Sequence, residues 1–268
     1  VPTVTLSGTA SIAENAAGVA TLTATLSVAT TAATTVTLGY TGTASASDYA
    51  ASSTTITIPA GATTGTVTIN PTDDVVYEGS ETVIANINSV TGGNGATESG
   101  VQTATVTITD NENVPTVTLS GAASIAENAA GIATLTATLS VATTAATTVT
   151  LGYTGTALAS DYAASSTTIT IPAGATTRTV TIDPTDDVVY EGSETVIANI
   201  NSVSGGNGAT ESGVQTATVT ITDNETVPTI GLSAPTSITE NSTGLVTISV
   251  MLSVATTSTT NVTLAYSG

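Results

Sequence analysis

The sequence predicts an all-β chain of tandem seven-stranded antiparallel β-sandwiches, and three observations carry that prediction. Shifting the chain by 113 residues realigns it almost completely, aliphatic residues alternate with Thr over short stretches, and Gly, Asn, Pro or Asp clusters separate most of those stretches. Val1-Pro2-Thr3 returns as Val114-Pro115-Thr116 and again as Val227-Pro228-Thr229. Residues 1–113 and 114–226 differ at seven positions: Thr9/Ala122, Val19/Ile132, Ser45/Leu158, Gly65/Arg178, Asn70/Asp183, Thr91/Ser204 and Asn113/Thr226. The third copy, 227–268, diverges further and stops at Gly268, which aligns with Gly42, so the sequence reads as a window on a longer array. A period of 113 residues exceeds the ~20–50 residues of a solenoid unit and suits one self-contained sandwich of about 100 residues.

Within the first copy the expected strands are 3–6, 20–26, 35–40, 54–58, 66–69, 82–87 and 103–109. Each alternates an apolar residue with Thr, a period of two that puts one face toward a core and the other toward water. Thr suits the outer face because it is β-branched, favours strands and stays wettable. Seven half-buried strands in one repeat read as a two-sheet, Ig-like sandwich with Greek-key connections. The core must come from Val, Ile, Leu and Ala, since Phe and Trp are absent and Tyr numbers only seven.

Composition excludes many activities. The net charge is -19, with Arg178 the one basic residue and no Lys, His or Cys. That removes ordinary zinc sites, thiol nucleophiles, imidazole bases and phosphate loops, and no enzyme is expected. A chain with one Arg offers no basic face to nucleic acid, and its charge disfavours anionic membrane surfaces. No apolar run approaches the length of a membrane span, so no direct membrane insertion is expected. Without Cys, no disulfide stabilises the domains.

The acids are not scattered. Glu14 follows the first strand, Asp48 the third, Asp73, Asp74, Glu78 and Glu81 the fifth, and Asp110 and Glu112 the seventh. If strand direction alternates, odd-numbered strands end at one pole, so eight of the nine carboxylates of the first repeat converge there, and only Glu98 lies opposite. With no cation in the chain to pair them, such a pole calls for a hard divalent ion. Calcium, which takes 6–8 oxygen ligands in flexible geometry, fits better than magnesium, and several ions per repeat are expected.

Four motifs in order then carry a resemblance: Glu14-Asn15, Ala46-Ser47-Asp48-Tyr49, the run Asp73-Asp74-Val75-Val76-Tyr77-Glu78-Gly79-Ser80-Glu81, and Thr109-Asp110-Asn111-Glu112. Each full repeat resembles the Calx-β domain of sodium–calcium exchangers, integrin β4 and large bacterial surface proteins, and the segment from Val227 matches only the first strands and Glu240. The resemblance implies carboxylate ligands at Glu14, Asp48, Asp73, Asp74, Glu78, Glu81, Asp110 and Glu112, and a ligating backbone carbonyl at Val76. Asn111 stands where the exchanger domain has an acid and offers an amide oxygen instead. In the second repeat the corresponding set is Glu127, Asp161, Asp186, Asp187, Val189, Glu191, Glu194, Asp223, Asn224 and Glu225.

These readings lead to three domains, 1–113, 114–226 and a truncated 227–268, joined end to end. The last ligands precede Val114-Pro115 directly, so the acidic pole of one repeat faces the start of the next across a linker of a couple of residues. The expected function is a calcium-rigidified spacer of a large extracellular bacterial adhesin or surface fibre. Its partners would be neighbouring repeats and other copies of the chain in a fibre. A self-associating or ligand-adhesive module and a calcium-sensing domain are the alternatives. The Gly92-Gly93-Asn94-Gly95 loop and acids of the Glu211 type are candidates to touch the neighbouring domain's site. Glu98 and Glu211 are expected to be solvated, and Arg178 and Asp183 to be unpaired surface residues. The acceptor-like triplets starting at Asn224, Asn241 and Asn261 are expected by chance in so Ser- and Thr-rich a chain.

Overall fold

The structure, a computed structural model, describes residues 1–267. All regular elements among them are β-strands. The first repeat contains β1 (Thr3–Gly8), β2 (Ser11–Ala13), β3 (Ala20–Leu26), β4 (Thr34–Gly42), β5 (Tyr49–Ala51), β6 (Thr55–Ile58), β7 (Thr64–Pro71), β8 (Val76–Tyr77), β9 (Glu81–Gly92), β10 (Thr97–Glu98) and β11 (Thr103–Thr109). The seven stretches that alternate in sequence are β1, β3, β4, β6, β7, β9 and β11. The short β2, β5, β8 and β10 hold too few residues for alternation to show.

Two five-stranded sheets face each other, in the orders β10-β1-β3-β7-β5 and β2-β11-β9-β4-β6. The first strand divides between them: β1 runs antiparallel to β3, and β2 crosses over to lie parallel to β11. Alternation sets the burial. In β3 every second residue is buried, and Leu22 sits with Val4, Val36, Ile56, Ile58, Ile69, Val83 and Val106 in a core of aliphatic side chains. The tyrosines packed against this core stand at one corner, where the rings of Tyr40 and Tyr49 meet edge-on at 6.4 Å and the Tyr40 hydroxyl donates to the Ser53 carbonyl.

The second repeat copies this plan with β12 (Thr116–Gly121), β13 (Ser124–Ala126), β14 (Ala133–Leu139), β15 (Ala142–Thr143), β16 (Thr147–Gly155), β17 (Tyr162–Ala164), β18 (Thr168–Ile171), β19 (Thr177–Pro184), β20 (Val189–Tyr190), β21 (Glu194–Gly205), β22 (Thr210–Glu211) and β23 (Thr216–Thr222). Its one addition, β15, exists because it pairs with β8 of the first repeat. The third segment forms β24 (Ile230–Ser233) against β25 (Ser249–Leu252), in the register of β1 against β3, and its apolar side chains stay exposed. A further short strand, β26 (Ala255–Thr256), pairs with β20.

Two sequence expectations need adjustment. Glu98 is half-buried and not free in water: its carboxylate accepts the Gln102 amide at 2.5 Å, and β10 carrying it pairs with β1. Glu211 does the same with Gln215 at 2.6 Å. Each acid closes the turn between two strands of opposite sheets, β10 to β11 and β22 to β23, a local role that composition alone does not show.

Each sandwich has its own core, so damage to one is expected to leave the other folded. Leu22→Ala empties a fully buried site and is expected to cost the first repeat about 2–5 kcal/mol. Scanning calorimetry would show the first repeat's transition lowered and the second's in place. A single transition shifted as a whole would contradict independent folding.

Candidate metal centre

The acidic pole is built by loops whose ends the sheets fix. Glu14 directly follows β2, and its amide donates to the Thr109 carbonyl at 2.9 Å, which ties it to the end of β11. Its side chain is buried, and its carboxylate accepts the Asp74 amide at 3.0 Å. The chain reaches Asp48 through Gly42, whose φ of 127° is closed to most side chains and where an added Cβ would collide with the Thr82 carbonyl. Thr43 and Ala44 amides then bond Thr82, and the loop turns back over the pole. Asp48 accepts the Ser45 amide at 2.5 Å and the Ser47 hydroxyl at 2.8 Å, while its own carbonyl accepts the Thr72 amide at 2.9 Å.

Asp110 organises the other side. One carboxylate oxygen accepts the Glu78 and Gly79 amides, both at 2.6 Å, and the other accepts the Glu112 amide at 2.8 Å. A single side chain thereby joins the loop after β7 to the segment that leads out of the domain.

These loops assemble two carboxylate triads per repeat. Glu14, Asp110 and Glu112 form one, and Asp48, Glu78 and Glu81 the other; within each, one oxygen per residue lies within 4.8 Å of the others. The second repeat holds Glu127, Asp223 and Glu225, and Asp161, Glu191 and Glu194, on the same criterion. Oxygens bound to one calcium at 2.3–2.6 Å are at most about 5 Å apart, so each triad has the span of one calcium shell. The residues also ask for a cation on independent grounds. One oxygen of Glu112, and the equivalent one of Glu225, is buried without any hydrogen-bond donor. A buried anionic oxygen left unpaired is costly, and a hard cation beside Glu14 and Asp110 would satisfy it.

Electrostatics point the same way. At 4.8 Å two carboxylates repel by roughly 1–3 kcal/mol between the limits of bulk water and a partly buried site. Arg178, the chain's one basic residue, lies at the start of β19, the end of that strand away from Asp186, and is exposed. Without a cation, protons take up the excess charge. Burial and the neighbouring Asp48 raise the Glu78 and Glu81 carboxyls from 4.5 to about 7, and burial with the neighbouring Asp161 raises Glu194 to about 7. Burial also raises Glu14, against the opposing effect of the Asp74 amide. Asp48 goes the other way: burial would raise it, but hydrogen bonds from Ser45, Ser47 and protonated Glu81 outweigh that and lower it.

Of the residues singled out in the sequence, six per repeat lie in the triads. Asp73 and Asp74 sit exposed at the rim, as do Asp186 and Asp187, and Asp74 accepts the Val76 amide at 2.7 Å. Asn111 is exposed and donates to Glu112 at 3.3 Å, and Asn224 does the same to Glu225 at 3.1 Å. Val76 and Val189 belong to β8 and β20, which pair with the following repeat. No sequence pattern announces that neighbour contact. Sequence reasoning also misses Ser45 and Ser47, which hold Asp48; only the Ser-Ala-Ser run before that Asp hints at them.

The suggested contact of the Gly-Gly-Asn-Gly loop with a neighbour is present: Asn207 of the second repeat donates to the Glu78 carbonyl at 2.8 Å.

Comparison with known proteins adds two family matches and structural likenesses. Residues 110–225 match the Calx-beta domain, and residues 1–111 match the LapA domain. Among curated proteins none matches the sequence. Similar solved structures include CBD12 from CALX1.2, at 14% identity and a TM-score of 0.36, covering 81% of this chain and 99% of that one. The apo form of the Calx CBD1 domain is 18% identical with a TM-score of 0.35, covering 42% of this chain and 99% of that one.

The raised carboxyls make a sign-definite prediction. Glu78, Glu81 and Glu194 keep protons up to about 7 when folded, while the unfolded chain loses them near 4.5. Their contribution is therefore full below the unfolded value and declines as pH rises through the folded one. In metal-depleted buffer the melting temperature is expected to fall between about pH 5 and about pH 7.5, followed by circular dichroism. A flat or rising profile would count against the crowded triads.

Proposed function

The second repeat is a Calx-beta domain and the first differs from it at seven positions, and on that premise we propose that the chain is a stretch of calcium-stiffened spacer from a bacterial surface adhesin. The match of the first repeat to the LapA domain supports the adhesin setting and a place at the cell surface. The observation that carries the reading is the position of Asp110 and Glu112: they are at once members of an acidic triad and part of the segment between β11 and β12 that connects the repeats.

Bound calcium would supply the positive charge that lets the triad carboxylates stay ionised at close range. The protein's own residues do the rest. Glu14 holds the loop after β7 through the Asp74 amide, and Asp110 holds it through the Glu78 and Gly79 amides. Glu112, with an oxygen awaiting a partner, would fasten the exit segment to the same point. Pro115, buried at the joint, limits the backbone there. An exit segment tied to its own domain cannot swivel, so the next repeat keeps a fixed direction. Near-identical repeats suit this role, because a spacer needs interchangeable units. The scarcity of Lys and Arg leaves few sites for trypsin-like proteases on an exposed stalk.

Calcium at about 100 times its dissociation constant is expected to add about 2.7 kcal/mol per site, a shift of about 10 °C or more in a domain of this size. Small-angle scattering is expected to show a longer, stiffer particle with calcium than with EDTA. If EDTA alters neither the melting temperature nor the maximum dimension, the spacer reading fails.

A further inference from the structure

The joint between the first two repeats is fastened from both sides. From the first repeat comes β8, Val76–Tyr77, which pairs in parallel with Ala142 and Thr143 of the second. From the second comes Asn207, whose side-chain amide donates to the Glu78 carbonyl at 2.8 Å and to the Thr144 hydroxyl at 2.8 Å. Glu78 is thus held twice. Its carboxylate belongs to the triad with Asp48 and Glu81, its amide is bound by Asp110, and its carbonyl is bound by a residue 129 positions further along the chain.

The same loop in the first repeat gives a control. Asn94 has a φ of 56° and Asn207 one of 53°, a left-handed conformation that Asn tolerates and Gly adopts freely. Among the described residues Asn94 bonds to Thr31 and Ala32 of its own repeat, and it is exposed. Asn207 is half-buried against Glu78. The second joint repeats the strand pairing, with Val189–Tyr190 running parallel to Ala255–Thr256.

We infer that Asn207 is a positioning residue of the first repeat's metal centre, contributed by the second repeat, which steadies the Asp48–Glu78–Glu81 triad through the Glu78 backbone. The inference rests on the calcium reading above. A backbone carbonyl gripped on one side of Glu78, with its amide gripped on the other, fixes where that carboxylate can point. Removing the grip lets the loop rearrange, and the cation would have to restore the order itself. Linkage makes the effect mutual: a cation in the first repeat would strengthen the docking of the second by the same factor.

The test uses the whole chain with Asn207→Gly, which removes the amide without straining the left-handed backbone, beside Asn94→Gly as the matched control. Calcium is titrated while the amide signals of Gly79 and Gly192 are followed by NMR, each reporting its own repeat. Loss of the hydrogen bond to Glu78 is expected to raise the midpoint at Gly79 roughly two- to tenfold in Asn207→Gly. The midpoint at Gly192 is expected to stay in place, and Asn94→Gly to move neither. In metal-depleted buffer, Asn207→Gly is also expected to speed hydrogen exchange at Glu78 and Gly79. Calcium binding with an unchanged Gly79 midpoint, or equal shifts in both variants, overturns this inference and leaves the calcium reading standing. No calcium response at either glycine overturns both.

Discussion

Three carboxylates within 4.8 Å of one another, twice in each repeat, in a chain whose single basic residue is elsewhere, set the terms for everything around them. The fold cannot relieve the repulsion with an ion pair, because it has no partner to offer. Two means remain: hydrogen bonds from backbone amides, and a cation or proton from solution. The structure uses amides as far as geometry permits. Asp110 takes three, Glu14 one and Asp48 one plus a Ser hydroxyl. What amides cannot reach is left to solution. That remainder is visible in Glu112, with an oxygen buried and unpartnered, and in Glu78 and Glu81, whose carboxyls shift to about 7.

The amide-bound acids and the unsatisfied ones have different duties. Asp110 shapes the loop after β7 whether or not a cation is present, since its three hydrogen bonds lie within the protein. A site held in shape this way has less disorder to overcome when an ion enters, which favours affinity. Glu78, Glu81 and Glu112 supply the charge that an ion would meet. Because Glu112 sits in the connecting segment and Glu78 touches the next repeat through its carbonyl, the charge that would bind an ion also reaches the joint. On the proposed reading, position along the chain, not chemistry unusual to any one acid, is what would turn a binding site into a mechanical one.

Much of this is legible in the sequence because two simple patterns are strong. Thr–aliphatic alternation locates all seven long strands, and counting strands places Glu14, Asp48, Glu78, Glu81, Asp110 and Glu112 at one pole, where the structure puts them. The short strands escape because two or three residues carry no period. The grouping into two triads escapes because strand order gives a pole but no distances within it. Asp73 and Asp74 illustrate the gap: they occupy the right loop, yet the hydrogen bond from the Val76 amide turns Asp74 to the rim. Glu98 is misread for another reason, since a turn closed by a donor four residues away looks like any polar loop until that donor is placed.

The seven differences between the repeats show which parts of the surface are free to change. Thr9/Ala122, Val19/Ile132, Asn70/Asp183 and Thr91/Ser204 are neither members of a triad nor partners in the joint contacts, and Arg178, in place of Gly65, is exposed on β19. Asn113/Thr226 adjoins a triad residue without joining it. Only Ser45/Leu158 reaches the site: the backbone amide still binds Asp161 at 2.6 Å, but the hydroxyl beside it is gone. By contrast Val76, Tyr77 and Glu78 have identical counterparts in Val189, Tyr190 and Glu191, and Ala142, Thr143 and Asn207 match Ala29, Thr30 and Asn94. Every full repeat therefore carries one copy of each half of the joint, a donor segment at the acidic pole and a receiving segment at the other. Units that present complementary ends propagate one geometry from joint to joint, and drift elsewhere on the sandwich leaves that geometry alone.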